Sequence, residues 1–254
     1  MFTPADREHL RRVLLERAQR DPRITGGAIT GSAAAGNEDT WSDIDLAFGI
    51  GELADRDVVI ADWTRLMYDE HGAVDHLDVS AGGWLYRVFL LASTLQVDLA
   101  FVAAPQFCAR APTFQLVFGA AAAPDHRPPP EAGELIGLAW LYALHVRSAI
   151  ARGRAWQALH MINCMRDHVL ALACLRHDLP APHARGVDAL PADVIVRFRD
   201  TVPHDPSLAE LSRAFAQLGG VFLDEAGATS RDVAARIRPV VEQLVRKAPH
   251  EASS

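Results

Sequence analysis

The hydrophobic positions of the first half of the chain recur with the periods of alternating helices and strands. Residues 6–19 place their apolar side chains on one helix face, and Thr3 or Pro4 marks the predicted start. The polar pair Ser93-Thr94 separates two apolar stretches and predicts a hairpin. The other elements expected here are a short helix over 33–36, a helix over 56–70, and strands over 24–30, 44–48, 84–91 and 95–103.

The second half has a different pattern. Residues 119–133 contain three consecutive prolines and no periodicity, which is typical of a semi-rigid linker. Beyond it, helices are predicted over 134–151, 154–177, 190–202, 206–226 and 230–247. The fold class expected is α+β: a small mixed β-sheet domain with flanking helices over 1–118, the linker over 119–133, and an all-helical bundle domain over 134–254.

Composition limits the kind of protein. Half of the 254 residues are hydrophobic and 22% are charged, which is a globular balance with ample core material. We find neither a secretory signal nor an apolar run near the ~20 residues of a membrane span. The three cysteines are widely spaced, so we expect reduced thiols rather than disulfides or a zinc site. These features predict a cytoplasmic protein without a membrane partner.

Charge is unevenly distributed along the chain. Residues 1–118 carry 17 acids and 10 bases, whereas residues 119–254 carry 15 of each. An acidic first half makes nucleic acid an improbable partner and suits metal cations or a cationic small molecule, although a solvated acidic surface is the alternative. Lys247 is the single lysine, against 24 arginines. Side-chain contacts to a phosphate would therefore have to come from arginine.

Asp43 and Asp45 are the first candidate site residues. They lie two apart on a predicted strand, so both carboxylates point to the same face. Magnesium binds hard oxygen ligands and commonly takes one or two carboxylates together with substrate phosphates. The alternative for this pair alone is an edge strand with two solvated acids.

Two further features strengthen this interpretation. Gly31-Ser32 ends the preceding strand, where glycine permits close approach to a ligand and free amides attract an anion; an ordinary turn with serine as helix cap is the alternative. Asp98 interrupts an apolar strand, where burial without partners would be costly. It could share a metal with the first pair or act as general base. A lone acid on an exposed edge strand is the alternative.

Together these residues resemble a known signature. The stretch GSAAAGNEDTWSDIDLAF is similar to the motif of the DNA polymerase beta-type nucleotidyltransferase superfamily, most of all its aminoglycoside and lincosamide branch. The match comprises Gly31, Ser32, Gly36, Ser42, Asp43, Ile44, Asp45 and Leu46. It departs at Ala35, where the family often has an arginine that does not bind metal.

The resemblance implies a site and a reaction. Asp43 and Asp45 would hold two Mg²⁺ ions, and Asp98 would be a third ligand or the catalytic base. ATP or another nucleoside triphosphate would lie over Gly31 and Ser32, with Ser42 as a further contact. A substrate hydroxyl would attack the α-phosphorus and pyrophosphate would leave. The first domain would then be the nucleotidyltransferase catalytic domain, and the helical domain would bind substrate and nucleotide.

The helix near 155–175 is apolar nearly all round, but it carries a narrow polar stripe. Within the stripe, a buried Arg166 would need an anion. We predict that it contacts the triphosphate, with Asn163 or Asp167 near the acceptor; an internal salt bridge is the alternative. Arg147, Arg152 and Arg154 are other candidate phosphate ligands. Trp140 and Trp156 are expected in the core, and Asp75 and Asp78 in a solvated loop from which a cationic substrate is reachable.

The function predicted from the sequence is Mg²⁺-dependent transfer of a nucleoside monophosphate, AMP first, to a hydroxyl of a small molecule such as an aminoglycoside or lincosamide. A protein or RNA acceptor is the second hypothesis, and a non-catalytic nucleotide or ligand sensor is the third. The resemblance also allows a homodimer with a shared cleft.

Overall fold

The computed structural model describes residues 1–126 and 128–246, so Arg127 and residues 247–254, with the single Lys247, lie outside the described part. The chain forms two compact units, Met1–Arg127 and Pro128–Ser254. A six-stranded mixed sheet with helices makes up the first, and helices make up the second. The α+β class predicted from the sequence is therefore confirmed.

The first unit contains all the strands of the described residues. Its sheet has the order β3-β4-β5-β2-β1-β6, with β2 and β5 parallel and the other neighbours antiparallel. The elements are α1 (Pro4–Arg20), β1 (Ile24–Thr30), α2 (Gly31–Ala34), β2 (Ile44–Ile50), α3 (Arg56–His71), β3 (Ala73–Ala81), β4 (Trp84–Leu91), β5 (Gln96–Ala103) and β6 (Phe114–Gly119).

One face of this sheet is covered by α1 and α3. Their apolar side chains form one buried cluster with the alternate residues of β2 and β5. Phe48 lies at its centre, with ring centroids 5.0 Å from Trp63 and 5.8 Å from Phe101. Because side chains alternate along a strand, burying Ile44, Leu46 and Phe48 on this face directs Asp45 and Ala47 to the other.

Several local predictions are confirmed. The helix α1 begins after Thr3, whose hydroxyl and backbone form a capping box with Asp6. The Ser93-Thr94 hairpin joins β4 to β5, and Thr94 adopts a positive φ of 71° at the turn. The short helix is a single turn that begins earlier than predicted, at Gly31, and ends at Ala34.

Two strands were not predicted. Residues 73–81 form the edge strand β3, so placing Asp75 and Asp78 in a loop was wrong. The other edge strand, β6, ends at Gly119, at the start of the predicted linker. Both strands are mostly exposed, and so they lack the buried apolar positions by which the inner strands are recognised.

The second unit is helical throughout its described elements. They are α4 (Ala132–Ala151), α5 (Ala155–Arg176), α6 (Ala192–Arg199), α7 (Leu208–Thr229) and α8 (Arg231–Val245), with short 3₁₀ turns between α5 and α6. The buried Ile162, Met165 and Val169 place α5 in the core of the unit, as predicted. Trp140 and Trp156 are exposed, so their predicted core position was wrong.

An ion-pair network missed in the sequence connects three of these helices. Glu225 of α7 is almost fully buried and accepts two hydrogen bonds from Arg176 of α5, at 3.0 and 3.2 Å. Arg197 of α6 lies 3.4 Å from the same carboxylate and 2.6 Å from Asp224. Both arginines thus form ion pairs that connect α5 and α6 to α7. Among the described helices, none is both long and apolar enough to cross a membrane.

Candidate functional site

The candidate site lies at the ends of three neighbouring inner strands, β1, β2 and β5. The carboxyl end of β1 and the amino end of β2 are adjacent because these strands are antiparallel, with Ile29 opposite Leu46. The parallel pairing of β2 and β5 places Asp98 directly beside Asp45. Residues far apart in the sequence are thereby brought to one face, the face opposite α1 and α3. We call it the carboxylate face.

Three acids meet on this face. Asp43, Asp45 and Asp98 each offer a carboxylate oxygen, and these oxygens lie within 4.8 Å of one another. All three side chains are partly buried. Both β2 and β5 are inner strands of the sheet. The alternatives of solvated acids on an edge strand were therefore wrong, for the first pair and for Asp98.

Gln96 connects two of these acids. Its side-chain amide donates to Asp98 Oδ1 at 3.0 Å and to Asp43 Oδ2 at 3.3 Å. Gln96 lies two residues before Asp98 on β5, so both side chains share the carboxylate face. One amide group thus holds two carboxylates in place. Its position before Asp98 in an apolar strand is the only sequence signal that could have identified it.

The surroundings of Asp98 disfavour its charged form. Burial is the main cause that raises the pKa of this carboxyl, and together with the nearby charge of Asp43 it brings the pKa to about 6 against the hydrogen bond from Gln96. A carboxyl that is costly to ionise beside other acids is stabilised by a nearby cation. It is also suited to exchange a proton near neutral pH.

This shift predicts a pH-dependent gain in stability for Asp98→Asn. The folded pKa, about 6, exceeds the ordinary 3.8, so ionisation has no effect on stability below pH 3.8, destabilises the fold increasingly between pH 3.8 and 6, and has a constant cost above that. In EDTA at pH 8, the free energy of unfolding of the variant should therefore exceed that of the wild type by roughly 1–2 kcal/mol, a figure reduced for the partial exposure of Asp98. Urea denaturation across pH 4–8 measures the difference. A difference that did not grow with pH would contradict the expectation.

Gly31 forms the wall of the site next to Asp45. Its φ of +65° is in the left-handed region, and a Cβ there would lie 1.9 Å from Asp45 Oδ2. Glycine is thus required both by the backbone conformation and by the close approach of the carboxylate. Ser32 follows inside α2, and the helix cap is Thr30, so the alternative of Ser32 as an ordinary cap was wrong.

The loop that leads into β2 is held by α1. Arg7 donates to the backbone oxygens of Asp39 (2.6 Å) and Ser42 (3.0 Å), and its Nε lies 3.1 Å from Glu38. Arg11 pairs with the same carboxylate at 2.6 Å. The loop ends one residue before Asp43, so these arginines fix the start of the acid-bearing strand. No local pattern in the sequence indicates this contact, because it spans more than 30 residues.

We expect Arg7→Met to loosen this loop. The side chain of Arg7 is only 6% exposed. Its loss would remove the Arg7 donor from the Ser42 carbonyl and leave the Asp39 carbonyl with the longer bond from the Ser42 amide, at 3.4 Å, while Glu38 keeps Arg11. The free energy of unfolding should fall by about 2 kcal/mol in urea. The matched control is Arg12→Met on the same helix, whose side chain is 61% exposed and contacts Glu16 and His9 of that helix. It should change stability by less than about 0.5 kcal/mol; equal losses would contradict a loop-fixing role.

The three acids fit a magnesium ion. Mg²⁺ takes oxygen ligands at 2.0–2.1 Å, so oxygens on opposite sides of one ion are about 4.2 Å apart. The three carboxylate oxygens lie within 4.8 Å of one another, so all three side chains are close enough to reach one ion. Three carboxylates would leave positions open for water and phosphate oxygens. Asp43, Asp45 and Asp98 are the residues that would hold the ion.

The remaining predicted contacts lie elsewhere in the two units. The hydroxyl of Ser42 bonds within its own loop, 2.9 Å from the Asp39 amide and 3.1 Å from its carboxylate. Arg166, in the helical unit, donates to the backbone oxygen of Thr201 (3.2 Å) and to Asn163 Oδ1 (2.5 Å). Burial lowers the pKa of Arg166 below its ordinary value. Nucleotide binding by Ser42 and Arg166 stays a prediction.

Comparison with known proteins shows a distant structural similarity and no family. No family model matches the sequence, and no curated protein matches it. Among solved structures, this chain is similar to an aminoglycoside 6-adenyltransferase from Bacillus subtilis, with a TM-score of 0.43 and 12% identity over 92% of this chain and 97% of that one. At that level of likeness, a function must be argued from the site itself.

Proposed function

We propose that the protein is a nucleotidyltransferase that transfers a nucleoside monophosphate from a nucleoside triphosphate to a hydroxyl group of a small molecule. AMP, transferred from ATP, is the first nucleotide to test. The observation that carries this proposal is the meeting of Asp43, Asp45 and Asp98 within 4.8 Å, with Gly31 against Asp45. Three hard oxygen donors beside an open turn form a site for a metal-bound phosphate. Aminoglycosides and lincosamides are the first acceptors to test.

The position of each residue determines its proposed role in nucleotide binding. Asp43 and Asp45 come from one strand and hold the metal–phosphate end of the nucleotide. The phosphates would lie over the Gly31-Ser32 turn, where the absence of a side chain on Gly31 lets the Asp45 carboxylate approach the backbone. When bound, Mg²⁺ neutralises charge on the phosphates and orients the α-phosphorus. Gln96 keeps Asp43 and Asp98 oriented towards this point.

Asp98 is the residue we assign to the acceptor. With a pKa of about 6 in the protein alone, it is ionised at neutral pH and can accept the proton of the attacking hydroxyl. The oxygen then forms a bond to the α-phosphorus as the bond to pyrophosphate breaks. If Asp98 instead completes the metal shell, its removal impairs metal binding as well as transfer.

The test is a direct assay of transfer. Purified protein is incubated with Mg²⁺, α-labelled ATP or GTP, and a panel of aminoglycosides and lincosamides, and both pyrophosphate and labelled product are measured. We expect turnover with a hydroxyl-bearing small molecule and none in EDTA. Metal-dependent nucleotide binding without turnover on small molecules, protein or RNA would overturn the proposal in favour of a sensor. Labelling of protein or RNA alone would overturn the small-molecule acceptor.

A further inference from the structure

The two outer strands next to the site have an unusual distribution of polarity. On the α3 side of the sheet, β3 and β4 carry polar groups: Tyr68 Oη lies 2.9 Å from His76 Nδ1. Arg87 binds Asp78 at 2.6 and 2.7 Å and Thr64 at 2.5 Å. Asp78 is therefore committed to an ion pair on the face away from the carboxylates.

The carboxylate face of the same two strands is mainly apolar. Leu77 is 64% exposed, Leu90 is 51% exposed and Val79 is 47% exposed, and the partly buried Val88 lies between them. We call these four residues the apolar strip. Exposed apolar side chains that are contiguous on one face commonly mark a binding surface.

Strand register connects the apolar strip to the acids. Asp45 pairs with Asp98, Asp98 with Val88, and Val88 with Leu77, so the four side chains form one row across the carboxylate face. At a strand spacing of 4.7–4.9 Å, Leu77 lies about 10 Å from Asp98. The strip thus begins at Asp98, on the side away from Gly31, and extends over the length of a small molecule.

We propose that the apolar strip binds the acceptor, and that the acceptor is a hydroxyl compound with an apolar face. The inference rests on the proposed function, because a hydroxyl attacking beside Asp98 brings the rest of its molecule onto either the nucleotide side or this strip. The nucleotide occupies the Gly31 side, so the strip remains for the acceptor.

Charge further defines the ligand. In the described residues of β3 and β4, the acid on the carboxylate face is Asp75, which pairs with Leu90. One carboxylate beside four aliphatic side chains suits an apolar or singly cationic molecule. On the described residues of β3 and β4, a polycation would meet the single carboxylate of Asp75 on this face, which disfavours it.

The probes are butyl and octyl β-D-glucoside, which are hydroxyl compounds that differ only in apolar length. Their binding to the full chain with Mg²⁺ and a non-hydrolysable ATP analogue is measured by calorimetry, below micelle-forming concentrations. Four added methylenes that are partly buried should make octyl glucoside bind about 10-fold more tightly. The paired variant Leu77→Asn/Leu90→Asn should bind both glucosides equally, with nucleotide affinity unchanged.

The matched control is Leu116→Asn, a leucine 42% exposed on the opposite edge strand, β6, which should keep the 10-fold difference. Equal binding of both glucosides to the wild type would overturn the inference, as would a difference that survives in the paired variant. A dimer that this variant dissociates would assign the strip to a second copy of the chain. Absence of Mg²⁺-dependent nucleotide binding in the wild type would instead overturn the proposed function, and the acceptor role with it.

Discussion

Replacing Asp45 by asparagine is expected to lower the rate of nucleotidyl transfer by at least ~100-fold, or about 2.7 kcal/mol. Asp45 lies at one end of the row, beside Asp98 and against Gly31. Asparagine keeps the size of the side chain but removes the charge that holds a divalent cation beside the phosphates. The measurement is kcat/KM for pyrophosphate release at saturating and at limiting Mg²⁺.

The matched control is Asp69→Asn, an exposed acid on α3 outside the carboxylate cluster. It changes the net charge equally and should keep the wild-type rate. If Asp45→Asn kept full activity, the assignment of the metal site would be wrong. If both variants lost activity alike, the loss would reflect overall charge rather than the site.

The inner part of the fold was predictable from sequence because its burial is periodic. Residues 44–48 alternate between the helix-covered core and the carboxylate face, and that alternation identified both the strand and the shared direction of its acids. In β3, by contrast, charged and apolar residues alternate while almost every side chain is exposed. Pairing with β4, rather than burial, stabilises β3 as a strand, and pairing partners are not apparent in a single sequence.

The residues of the site likewise differ in whether a local sequence pattern predicts them. Asp43, Asp45 and Asp98 were identified because the strand period and an acid in an apolar stretch are local signals. Gln96 and Arg7 were not, since each acts through tertiary contacts. Arg7 reaches a loop 32 residues further on, and Gln96 bonds to Asp43, which is 53 residues away. Residues that orient the acids therefore required the structure, whereas the acids themselves did not.

Gly31→Ala should reduce transfer by about 100-fold, although it adds only one methyl group. The new Cβ would lie 1.9 Å from Asp45 Oδ2 and 2.8 Å from its Cγ, so the carboxylate would have to leave its position beside Asp98. A displacement of about 1 Å in a positioned group is enough for a loss of this size. Steady-state kinetics should show a lower kcat and a higher Mg²⁺ concentration at the half-maximal rate.

Gly36→Ala separates this displacement from backbone strain. Gly36 has φ +69°, close to the +65° of Gly31, but a Cβ there would meet nothing within 4 Å. Both variants should lose about 1–2 kcal/mol of stability through the left-handed conformation, and only Gly31→Ala should lose activity. Equal kinetic losses would mean that strain in the turn impairs the site. A larger loss of activity for Gly31→Ala would mean that the absence of a side chain on Gly31 provides the space in which Asp45 holds a cation.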